Sequence, residues 1–166
     1  MNLAQLNTLT VDEARQCFMQ CCTSSAWVDA MVRARPFADQ QAIMVTADSI
    51  WHNLTKADYL QAFAGHPQIG NLDSLHAKYA NTKVLASGEQ SAVKQATAEV
   101  IAALAQSNAD YLAKFGFIFI VCATGKSAAQ MLALLQARLP NKPATELTNA
   151  AEEQRKIFHL RLEKLL

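Results

Sequence analysis

Glycine and proline are scarce in this 166-residue chain, at five and four residues. So few turn formers argue against a sandwich or barrel built from many short strands. An excess of one charge is missing too, because 15 basic residues face 14 acidic ones for a formal net charge of +1. Nucleic-acid binding normally rests on a basic stripe that displaces counterions from phosphates. Here Lys and Arg are scattered, so no nucleic-acid partner is expected. No apolar run approaches the ~20 residues that cross a bilayer, and no membrane partner is expected. The start, MNLAQLNTLTVDE, lacks the basic flank and apolar stretch of a signal peptide, which makes a cytoplasmic protein the expectation. Cys17, Cys21, Cys22 and Cys122 form no CxxC pair. They read as buried, reduced thiols, not as disulfides or metal ligands.

What is present points to helices. Hydrophobic residues make up 51% of the chain and charged ones 17%, enough apolar material for a sizeable core in one domain over residues 1–166. Ala, Leu and Gln are abundant and favour helix. Thr10 and Glu13 form a capping box that starts a helix at VDEARQCFMQCC. Further helices are expected from about Ser25 to Arg35, stopped by Pro36, and from about Asp39 to Asn53. Thr55 then caps a short helix ending near Ala64. HPQIGNLDSLHAKY reads as a turn and a modest helix. A long Ala-rich helix begins near Ser87 and ends at Gly116, where a left-handed residue is wanted. Helices are also expected to about Leu139 and from TELTN to the end. The apolar run FIFIVCA, Phe117–Ala123, reads as extended but has no strand partner, so its backbone groups must bond elsewhere. The expected fold is all-α, with seven or eight helices and one extended segment near 117–123.

Four features suggest chemistry, and each has a plainer reading. ATGKS resembles the end of a P-loop, but the Gly that motif needs five residues before Gly125 is Ile120; Gly125 and Ser127 read as the start of a helix. His66 lies in a Gly-His-Pro turn, where Pro67 keeps it off helical geometry and presents the imidazole rigidly, as a general acid or base requires; a surface turn histidine is the plainer reading. Glu89 and Gln90 fall in the first turn of a helix, where Ser87 and Gln90 make a capping box. Arg161, between leucines in FHLRLEKLL, either snorkels to solvent or meets a bound anion. His52, His76 and His159 read as structural, with no metal-ligand spacing.

Taken in order, HPQIG, SGEQ, FIFIVCATGKSAAQML and RLPNKPATELTNAAEEQRKIFHLRL resemble the family of 2-oxo-4-hydroxy-4-carboxy-5-ureidoimidazoline (OHCU) decarboxylases of purine degradation. The resemblance covers most of the chain. It implies an all-helical carboxy-lyase, without metal or organic cofactor, that converts the imidazoline derived from urate into (S)-allantoin and carbon dioxide. It further implies that His66, Glu89 and Arg161 are catalytic. By the same resemblance Pro67, Gln90, Phe119, Ile120, Val121, Cys122 and Ala123 contact substrate, the last five largely through backbone groups. Ala86 stands where the family often has Ser, and Ser87, one step later, is taken as a further substrate contact. A homodimer is implied as well. The alternatives are a non-catalytic helical interaction module of the same fold, or a lyase or hydrolase acting on a related ureido compound.

Overall fold

A computed structural model describes residues 1–66 and 90–166, and within 90–97 the backbone alone. Eight helices and no strand occur among the described residues: α1 Leu3–Thr8, α2 Val11–Cys21, α3 Ser25–Arg33, α4 Gln40–His52, α5 Lys56–Ala64, α6 Gln90–Phe115, α7 Ala128–Arg138 and α8 Pro143–Leu165. Caps set most of the starts. Thr10 and Glu13 form the expected box before α2, Thr55 and Asp58 another before α5, and Ser127 and Gln130 a third before α7. The GKS serine is thus a helix cap, its hydroxyl accepting the Gln130 N–H at 3.2 Å. Gly116 follows α6 at φ 77° and Gly125 precedes α7 at φ 74°, backbone that residues with a Cβ rarely adopt. The modest helix expected after HPQIG and the start of the long one lie outside the described residues.

The described residues group into two compact units. The first takes in Met1–His66, Ile120–Cys122 and Asn149–Leu166. Here α3 packs on α2, α4 and α5, and the core is aromatic. The Phe158 ring lies 5.1 Å from Trp27 and 5.5 Å from Trp51, and Phe18 meets Trp27 edge-on at 6.1 Å. Buried indoles need acceptors. Trp27 Nε1 donates to the Ala47 carbonyl and Trp51 Nε1 to that of Ala151, both at 3.1 Å. The short α1 joins this unit through the Asn7 side chain, which donates to the Phe37 carbonyl at 2.8 Å and accepts its N–H at 2.9 Å.

The second unit takes in 90–119 and Ala123–Thr148, with α6 packed on α7. Its centre is polar. Glu146 is fully buried and accepts hydrogen bonds from Tyr111 Oη and Arg138 Nε at 2.5 Å and from Asn141 Nδ2 at 2.9 Å. Burial pushes the Glu146 carboxyl up, yet those bonds from Arg138, Asn141 and Tyr111 prevail and hold it below its ordinary value. The same Arg138 guanidinium lies 4.6 Å above the Phe119 ring, which also meets Tyr111 edge-on at 5.2 Å.

Candidate active site

The site is built from α5 outward. Thr23 Oγ1 donates to the carbonyls of Gln61 and Ala62, both at 3.3 Å, and covers the end of α5 so closely that a Cβ on Gly65 would sit 2.0 Å from that oxygen. Only glycine fits there. The next residue is His66, half-buried, with its N–H donating to the Phe63 carbonyl at 3.1 Å. Its ring is held as well, because Nε2 is hydrogen-bonded to Oε1 of Gln154 on α8. Burial lowers the affinity of His66 for a proton, the Gln154 bond raises it, and the positive charge of Arg161 lowers it; the net effect is a pKa below the ordinary 6.5. The site thus favours the neutral imidazole.

Arg161 stands on the same helix as Gln154. Its Nη1 donates to the Cys21 carbonyl at 3.1 Å and to that of Gln20 at 3.4 Å, at the C-terminal end of α2, where the helix dipole favours a cation. It therefore does more than extend into solvent, since one edge of the guanidinium is anchored. Its charge is felt by Cys21 and Cys22. Burial nevertheless pushes those thiols up, to about 12 and about 11. All four cysteines are free, but only Cys21 and Cys22 are buried as the sequence suggested; Cys17 and Cys122 are partly exposed.

Of the strip after α6, Ile120, Val121 and Cys122 belong to the first unit with His66 and Arg161. Ile120 is buried, while Val121 and Cys122 are partly exposed. The Cys122 N–H donates to Glu153 Oε2 at 2.7 Å, and the other oxygen of Glu153 accepts from Lys156 at 2.6 Å. This accounts for one backbone group of a segment that no strand pairs among the described residues. Phe119 and Ala123 belong to the second unit, Phe119 beneath Arg138. Pro67, Ser87 and Glu89 lie outside the described residues, and so does the side chain of Gln90, the first residue of α6.

His159 bonds Asp48 Oδ1 at 2.6 Å, and His52 Nδ1 approaches the Asp48 carbonyl at 2.7 Å, in keeping with structural roles; His76 is outside the described residues. Among the described residues no group of three or more His, Cys, Asp or Glu side chains could hold a metal ion, and no helix is long and apolar enough to cross a membrane.

Comparison with known proteins decides the family. A family model described as OHCU decarboxylase matches residues 7–163. The chain belongs to the OHCU decarboxylase family. It is 43% identical over 148 residues to the uric acid degradation bifunctional protein TTL of Arabidopsis thaliana, covering 87% of this chain and 45% of that protein. It is 28% identical to the OHCU decarboxylase of Amia calva over 100% of this chain and 95% of that one. A crystal structure of OHCU decarboxylase in the presence of (S)-allantoin matches with a TM-score of 0.72 at 39% identity, over 89% of this chain and 95% of that chain. An (S)-allantoin synthase structure, at 16% identity with a TM-score of 0.72, covers 100% of this chain and 54% of its own and shares the fold. Membership places the chain among decarboxylases and accounts for the all-helical fold.

Two residues that bond to the candidate site, Glu153 to the Cys122 N–H and Gln154 to the His66 ring, stand in the family-like string of α8 without a role assigned from sequence. A signal existed. Gln154 falls in the buried register Ala150, Gln154, Phe158, Leu162, with Gln154 only 1% exposed, and a polar residue on the apolar stripe of a helix calls for a specific partner.

Proposed function

We propose that this chain decarboxylates 2-oxo-4-hydroxy-4-carboxy-5-ureidoimidazoline to (S)-allantoin. The observation that carries the reading is His66, clamped by Gln154 in surroundings that favour its neutral form, in the same unit as an anchored Arg161. A neutral imidazole can accept a proton, and a fixed guanidinium can orient a carboxylate. The likeness to a decarboxylase crystallised in the presence of (S)-allantoin supports the same substrate class.

The substrate carries its own electron sink. When the bond to the carboxylate breaks, its electron pair moves into the adjacent ring C=N, so no added electron sink is required. Carbon dioxide departs and the ring nitrogen that receives the electron pair takes a proton from solvent; the neighbouring hydroxyl then loses its proton to become the carbonyl, and one face of the adjacent ring carbon takes a proton. In this scheme His66 removes the hydroxyl proton and returns one to the ring. Arg161 holds the carboxylate through its remaining donors, with the breaking bond aligned to the C=N. It orients more than it stabilises, because a carboxylate bound too well resists leaving as a neutral gas. By the family resemblance, Glu89, Gln90 and Ser87 would grip the ring and ureido groups, and Pro67 and residues 119–123 would contact substrate.

The test supplies urate and the two preceding enzymes, adds this chain, and follows circular dichroism. One allantoin enantiomer is expected, where spontaneous decay gives a racemate. Racemic product at an unchanged rate would end the reading. Cytoplasmic location and a homodimer complete the proposal; sedimentation at the 18.2 kDa mass of one chain would remove the dimer.

A further inference from the structure

Gln154 makes a bond that does more than hold a ring in place. A carbonyl oxygen can only accept, so the nitrogen facing Gln154 Oε1 must carry a hydrogen. A neutral imidazole has a single N–H, and which nitrogen bears it is set by the partner of the other. Resting on the proposed role of His66 as base, we propose that Gln154 is a positioning residue that selects the Nε2–H tautomer of His66 and so makes Nδ1 the atom that takes the proton.

Three observations support this. Gln154 is 1% exposed, so water cannot readily replace it as the partner. It lies in α8 between the fully buried Ala150 and Phe158, which leaves its side chain little freedom to turn. The backbone of His66 is pinned separately to Phe63, so ring rotation is the freedom left, and the Gln154 bond removes it. A neutral amide also differs in kind from the carboxylate that backs a histidine in a catalytic triad. It brings no counter-charge to the ring: its bond raises the proton affinity of His66, but burial and the positive charge of Arg161 on α8 outweigh that. The base is thus weak and pre-aimed, suited to a proton that leaves a hydroxyl and soon returns to carbon.

The experiment is ¹⁵N NMR of the histidine-labelled full chain without substrate, above the pH at which His66 titrates. The expected His66 pattern is a pyrrole-like Nε2 and a pyridine-like Nδ1. Replacing Gln154→Leu should mix the tautomers and lower kcat by roughly 10- to 100-fold while KM changes little, as loss of alignment does. Gln154→Glu keeps an oxygen acceptor; it should restore the Nε2–H pattern and move the acidic limb of the rate profile upward by about one pH unit or more, through its new charge. A pyridine-like Nε2 in the unaltered chain would overturn the assignment, and so would a Leu variant with full kcat. The spectrum needs no turnover, so failure of this assignment is distinct from failure to make allantoin.

Discussion

Replacing Gly65 by alanine tests the construction of the site most directly. Gly65 has ordinary helical backbone, φ −75° and ψ −6°, and at such a position Gly→Ala usually stabilises by about 0.4–1 kcal/mol through the unfolded chain. The Thr23 side chain reverses the sign. The new methyl would lie 2.0 Å from Thr23 Oγ1, 2.5 Å from Cγ2 and 2.7 Å from Cβ. Rotating Thr23 moves the first two atoms but leaves its Cβ in place, so backbone must shift. Overpacking of this kind costs about 1–3 kcal/mol, and losing the Thr23 bonds to α5 adds to it. The net expectation is a loss of roughly 1–2 kcal/mol, or about 2–8 °C in Tm. Because His66 is the next residue, a shift near 1 Å should also cost on the order of 10²-fold in turnover. Thermal melting and the coupled allantoin assay read the two effects. Thr23→Gly in the same chain removes all three contacts and should recover turnover and the overpacking part of the stability loss, though not the part owed to the lost Thr23 bonds, whereas Thr23→Ala, which keeps Cβ, should recover less. A Gly65→Ala chain as stable as the parent would refute the argument.

Other expectations follow from the same geometry. His66→Ala should lower kcat by roughly 10²–10⁴-fold, read with freshly made substrate, and a folded variant near the parent rate would remove His66 as the acid–base group. Because burial, with the nearby Arg161, sets the His66 pKa below 6.5, activity should persist as pH falls through 6.5 and fade only as the ring protonates. The same shift makes His66 support the fold above pH 6.5, a contribution that declines as pH falls from the unfolded value through the folded one. Arg138→Leu strands the buried Glu146 carboxylate and should cost about 3–5 kcal/mol in denaturant titration, with a smaller loss for the double change Arg138→Leu, Glu146→Leu. Arg161→Lys, which gives up forked geometry, should raise KM more than Arg155→Lys, whose partners are Asp48 and Glu152.

The elements that carry their own punctuation were legible in the sequence. Thr10, Thr55, Ser127, Gly116 and Pro36 each act locally, so α2, α3, α5, α7 and the end of α6 fall where these residues place them. The helix α1 was not read, because its box is made by Asn2 and Gln5 over only six residues, and its docking depends on Asn7 meeting a backbone 30 positions away. His66 and Arg161 could be singled out, but not their settings. That Arg161 grips the end of α2 and that Gln154 reaches His66 are pairings across 140 and 88 positions, and local periodicity carries no information about such distances. FIFIVCA shows the limit from the other side. Its β-like composition reflects aromatic packing of Phe117 and Phe119 on Tyr111, not a ladder.

The buried indoles of the first unit have an optical consequence. The chain has two tryptophans, Trp27 and Trp51, and both lie among residues 1–66, sealed to 0% and 2% exposure. Emission should therefore be blue-shifted, and its red shift on denaturation reports the Trp-bearing unit alone. Helical ellipticity sums over every helix, including α6 and α7. Coincident fluorescence and far-ultraviolet transitions would mean that the two units melt as one cooperative body, and separated midpoints that they do not.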